Sequence, residues 1–149
     1  MKKIILGLTL LLTLSVPTYG KNILLIRGLD QVIFRGMDTL GEELKRDGHK
    51  VYVASPLEAA FSSYKYDVVI GNSQGAYVAM TYNPVPKMTV TIDVPFNCIA
   101  RKGTKHLNIH GTWWVAGIVT GATNKYIGVG HLQLSYSPAM RTMVRNFVR

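Results

Sequence analysis

The chain has 149 residues, enough for one domain and too short for two, with 48% hydrophobic residues and a formal charge of +9. Its single cysteine, Cys98, excludes an internal disulfide, so a packed core has to hold the fold, and no CxxC, HExxH or clustered His/Cys spacing calls for a metal. The basic residues are scattered, with no run of five and no aromatic interleaving, which argues against nucleic-acid binding; the excess reads as a general surface property, compatible with peripheral contact with anionic envelope surfaces.

Residues 1–20 read as a secretory signal peptide. Lys2 and Lys3 precede an apolar run from Ile4 to Val16, Pro17 breaks it, and Thr18 and Gly20 place small residues before a cleavage point. The run is well short of the ~20 residues that span a bilayer. The expected product is an exported domain of residues 21–149, beginning at Lys21.

The first predicted strand, residues 22–26 (NILLI), is continuously apolar, as a strand buried on both faces should be. Gly28 ends it. A helix is predicted over 38–46, with Met37, Leu40 and Leu44 at helical spacing and Asp47-Gly48 as its stop. A strand at 50–54 (KVYVA), a short helix at 57–64 and a strand at 67–70 (DVVI) follow. Gly71-Asn72-Ser73-Gln74-Gly75 leads into a helix over 76–82. The fourth strand is 88–93 (MTVTID) and the fifth 106–110 (HLNIH). Residues 111–130 read as a Gly-rich loop, and Ser137-Pro138 opens a last amphipathic helix. Strands alternating with helices predict an α/β fold with about five parallel strands flanked by helices, in the order 2-1-3-4-5. Ligands of such sheets bind at the carboxyl ends of the strands, near the reversal in strand order.

Gly71-x-Ser73-x-Gly75 lies between a strand and a helix, the setting of a nucleophile elbow. A serine nucleophile needs a base, and the base an orienting acid. Asp93, at the end of the fourth strand, is the one carboxylate residue after Ser73. Three histidines follow Ser73. His131, at the end of the Gly-rich loop, is the first choice for the base. His110, at the carboxyl end of the fifth strand, competes with it, and His106 sits at the wrong edge. The backbone N–H of Gln74 and that of Leu29, with Gly28 as second choice, are expected to form an oxyanion hole. Trp113 and Trp114 are candidates for lining a substrate pocket. Cys98 is expected to be a small buried or half-buried residue, and His49 a solvated one.

These segments resemble the α/β-hydrolase superfamily, and more narrowly its very small lipase- or thioesterase-like bacterial and phage members. NILLIRGL resembles the first strand and oxyanion loop, with Arg27 where His is common. VVIGNSQGAYVAM resembles the elbow, with Asn72 where His is common. VGHLQLSYSPAMRTMV resembles the catalytic-His segment and last helix. The resemblance implies a minimal hydrolase fold without a cap domain. It also implies hydrolysis of an ester or thioester of a small-molecule or lipid acyl group, through an acyl-enzyme and without a cofactor. It departs from the family's usual pattern at the acid, since Asp93 stands one strand earlier than usual. The alternatives are acyl transfer to an alcohol, or an exported binding protein that kept the scaffold without activity.

Overall fold

A computed structural model describes residues 20–29 and 35–149; residues 1–19 of the segment read as a signal peptide, and Asp30, lie outside the described residues. The elements in chain order are β1 (Asn22–Ile26), α1 (Gly36–Arg46), β2 (Lys50–Ala54), α2 (Pro56–Ala60), β3 (Val68–Asn72), α3 (Gln74–Thr81), β4 (Met88–Ile92), β5 (Cys98–Ile99), β6 (Lys105–His110), β7 (Val119–Thr120), β8 (Thr123–Tyr126), α4 (His131–Leu134) and α5 (Pro138–Val148). The fold class is α/β, as expected. Six strands form one sheet in the order β2-β1-β3-β4-β6-β8, and every neighbouring pair is parallel.

The five predicted strands occupy the predicted order. The sixth, β8, falls within the stretch read as loop. Its sequence TNKY has no apolar alternation and it lies at the sheet edge, mostly exposed, so no periodic signal marked it. The backbone of β6 recruits it, with Leu107 opposite Thr123 and His110 opposite Tyr126. The second helix is shorter than predicted. A capping box between Ser55 and Glu58 starts it, and the chain leaves the helix at Phe61.

Side-chain parity divides the core. Ile23, Leu25, Val68, Ile70, Val90, Ile92, Leu107 and Ile109 face the layer formed by α1 and α5, where Met37, Leu40, Leu44, Met140, Val144 and Val148 meet them. Leu24, Ile26 and Val69 face the other way, toward α2 and α3. Burying each such side chain contributes about 1.5–3 kcal/mol. Strands β1 and β3, covered on both faces, therefore carry continuous apolar runs (Ile23 to Ile26 and Val68 to Ile70), whereas β4 and β6 alternate.

The second face of β4 and β6 has a different cover. The crossovers after them carry β5 and β7, a two-stranded parallel pair of their own, instead of helices. Beneath lies a buried polar network. The Thr91 hydroxyl donates to Asn108 Oδ1 at 2.8 Å and so accepts from His106 Nε2 at 3.0 Å. Asn108 Nδ2 donates to Gly117 O and to Asn124 Oδ1. Burial pushes the His106 pKa down to about 4. The network ties β4, β6 and the 117–124 turn together.

Candidate active site

Strand order reverses between β1 and β3: the chain runs from β1 out to β2 and returns past β1 to form β3. Ser73 leaves β3 at that reversal. Its backbone has φ 55° and ψ −123°, a region L-residues rarely occupy, at a strain of about 1–3 kcal/mol. Local bonds hold it there: the Ser73 N–H donates to Ile92 O at 2.8 Å, and Ser73 O accepts from the Ala76 N–H at 2.9 Å. The two flanking glycines are what make the turn sterically feasible. A Cβ on Gly71 would stand 2.1 Å from Gly75 O, and one on Gly75 would stand 2.4 Å from Arg27 O. Gln74 is the first residue of α3, so its N–H has no acceptor within the helix and adds to the positive end of the helix dipole beside Ser73.

Asp93 follows β4 by one residue, in register beside Ser73. Its N–H donates to Ile109 O at 2.8 Å, and its backbone is also left-handed, with φ 47°. Its side chain is fully buried. One carboxylate oxygen accepts from the Gly111 N–H at 2.6 Å and the other meets His131 Nδ1 at 2.8 Å. A carboxylate can only accept, so Nδ1 carries the proton and Nε2 is left with the lone pair. His131 opens α4, and its ring stacks on Trp113 with 3.9 Å between centroids and 25° between planes. The described hydrogen bonds of His131 end at Asp93 and do not reach Ser73 Oγ.

The other candidates fall elsewhere. His110 lies against the Tyr126 ring, and it is His131 that bonds the Asp93 carboxylate. His106 is committed to the polar network. His49 is half-buried where a solvated side chain was expected: Nδ1 accepts from the Lys21 N–H, and burial lowers its pKa. Trp113 meets His131, whereas Trp114 is 90% exposed and borders a cleft with Phe96 and Val115. Leu29 is largely exposed after β1. Cys98 is half-buried, as expected, with its thiol pKa raised by burial. It lines a groove of about 620 Å³ with Tyr77 and Met80 that contains none of Ser73, Asp93 and His131.

Sequence reasoning missed a nearer groove. Leu29, Ser55, Pro56, Leu57, Ala60, Gln74 and Val78 enclose about 390 Å³, almost all of it apolar-walled, with Gln74 at one side. The short helix that lines it was expected from the sequence, but its approach to α3 depends on sheet order. Among the described residues, no cluster of His, Cys, Asp and Glu is placed to hold a metal.

No protein-family model matches this chain, and no curated protein matches it. The site geometry therefore carries the functional reading.

Proposed function

We propose that the chain is a serine hydrolase with a minimal α/β-hydrolase fold, cleaving an ester or thioester through an acyl-enzyme on Ser73. The observation that carries this reading is the buried contact of Asp93 with His131 Nδ1, formed at the same sheet edge as a strained serine between two sterically required glycines. The chain order Ser–Asp–His and the strand order with the serine at its reversal agree with the hydrolase pattern.

In this reading Ser73 Oγ attacks the acyl carbonyl and passes its proton to His131 Nε2. The two groups close to hydrogen-bond distance as substrate binds, since such contacts are commonly long in unliganded enzymes. Asp93 keeps the imidazole in the tautomer that leaves Nε2 basic. The developing oxyanion is held by the Gln74 N–H, with Leu29 supplying the second donor. His131 then protonates the leaving group, and water entering by the same path releases the acid. The acyl chain lies in the groove beside Gln74, over Val78 and Leu57. Residues 1–20 direct the protein out of the cytoplasm, which N-terminal sequencing of exported protein checks by starting at Lys21.

An active-site-directed fluorophosphonate tests the reading. The wild-type chain is expected to take up one label, and the folded Ser73→Ala variant none. Equal labelling of both, or none of the wild type under conditions where a known serine esterase reacts fully, would refute it.

A further inference from the structure

The sequence scatters its basic residues; the fold gathers them. All strands of the sheet are parallel, so all begin at one edge, about 17 Å from the edge that holds Ser73. Lys50 opens β2 and Lys105 opens β6, while Lys21 and Lys87 immediately precede β1 and β4. Register puts these four in one row: Lys50 N donates to Lys21 O, Lys105 N to Lys87 O, and Met88 pairs with Lys105. The row crosses about 19 Å at the ordinary strand spacing. Lys65, Arg101 and Lys102 lie in the segments leading to β3 and β6. Helices α1 and α5 run back to the same edge and end there on Lys45, Arg46, Arg145 and Arg149; Lys21 Nζ donates to Arg149 O at 2.9 Å.

The carboxylates nearby are committed to fixed partners. Asp67, the one acid in the row, accepts from the Asn22 N–H and pairs with Lys87 at 3.2 Å. Asp47 is gripped by both ends of the Arg145 guanidinium. These partners hold both carboxyls below their usual range. Glu42 pairs with Lys45 at 2.8 Å, and Glu43 lies between Arg141 and Arg145. Away from this edge the described charges largely cancel, as where Arg27 pairs with Asp38. The excess positive charge of residues 21–149 thus resides at the edge opposite Ser73.

We propose that this edge is a docking surface for an anionic phospholipid bilayer, which orients the Ser73 edge away from the membrane. Lys50, Lys87 and Lys105 are exposed, Lys87 beside Asp67 and Lys105 over the Phe147 ring; a row of basic residues of this kind complements a surface of headgroup phosphates, and juxtaposed lysines gain affinity from such a surface without specific contacts. Single-stranded nucleic acid is favoured by free aromatic platforms. The exposed Tyr64, in the segment leading to β3, packs at a tilt against Tyr66 and Tyr52 instead.

The test is co-sedimentation of the full chain with phosphatidylcholine vesicles with or without phosphatidylglycerol. Binding is expected only with the anionic lipid and is expected to fall steeply as salt screens the charges. The Lys50→Gln/Lys87→Gln/Lys105→Gln variant should bind about a hundredfold more weakly, at about fivefold per lysine, while keeping its far-ultraviolet circular dichroism and any ester hydrolysis. Comparison with this variant separates the edge from residues 1–20, which both proteins carry. Unchanged binding by the folded variant would overturn the proposal. So would binding of a short DNA duplex at a salt concentration where anionic vesicles are not bound.

Discussion

Replacing Asp93 by Asn is the most searching change to the site, because the structure dictates which way the amide must turn. Asp93 accepts two hydrogen bonds, from the Gly111 N–H at 2.6 Å and from His131 Nδ1 at 2.8 Å. An amide has one acceptor oxygen. Turning its NH2 toward Gly111 would set two donors against each other in a fully buried site, a cost of about 1–3 kcal/mol for each unsatisfied group. The amide oxygen therefore stays on Gly111, and the NH2 donates to Nδ1. Nδ1 must then carry the lone pair and Nε2 the proton, so His131 can no longer accept from Ser73. The same inversion in a serine protease lowers turnover about 10⁴-fold, equivalent to about 5 kcal/mol of barrier. The assay is kcat/KM on a short-chain activated ester, together with 15N NMR of the imidazole, which reads the tautomer directly. The expected result is a protonated Nε2 and a loss of about four orders of magnitude in a folded protein. Near-normal turnover in folded Asp93→Asn, with Ser73→Ala inactive, would refute the role of Asp93.

Ser73→Gly should abolish hydrolysis yet raise the melting temperature by about 4 °C, since glycine adopts φ 55° without strain and the relief outweighs its entropy cost; a lower melting temperature would contradict the strain argument. Gly75→Ala should cost about 3 kcal/mol in urea unfolding, because its Cβ would meet the backbone oxygens of Arg27 and Ile26 at 2.4 and 2.7 Å and force α3 away from β1. His106 makes stability depend on acid. Its pKa falls from 6.5 to about 4 on folding, so the unfolded chain takes up the proton first. Stability is full above about pH 6.5, and about 3 kcal/mol of it is lost by pH 4. His106→Gln should flatten that part of the pH profile, measured by urea midpoints at several pH values.

The sequence alone determined the elements that rest on local patterns. NILLI read as a strand buried on both faces and DVVI as a strand because both of their faces are covered, and the glycines of GNSQG read as a turn because only glycine avoids the backbone there. Asp93 was legible as the acid by elimination, since no other carboxylate residue follows Ser73, and His131 was preferred to His110 by its place at the end of the Gly-rich loop; the two do meet. What depends on strand order was not legible. The edge strand β8 has no hydrophobic face and exists only because β6 offers it hydrogen bonds. MTVTI and HLNIH read as strands, but nothing local shows that Thr91, His106 and Asn108 meet in one buried network. The groove of Leu57, Gln74 and Val78 joins segments that only the passage of the chain from β2 back past β1 to β3 makes neighbours. The charge follows the same rule: lysines spread from position 21 to 105 form one row because parallel strands all begin at the same edge, a long-range consequence of topology that no local window contains.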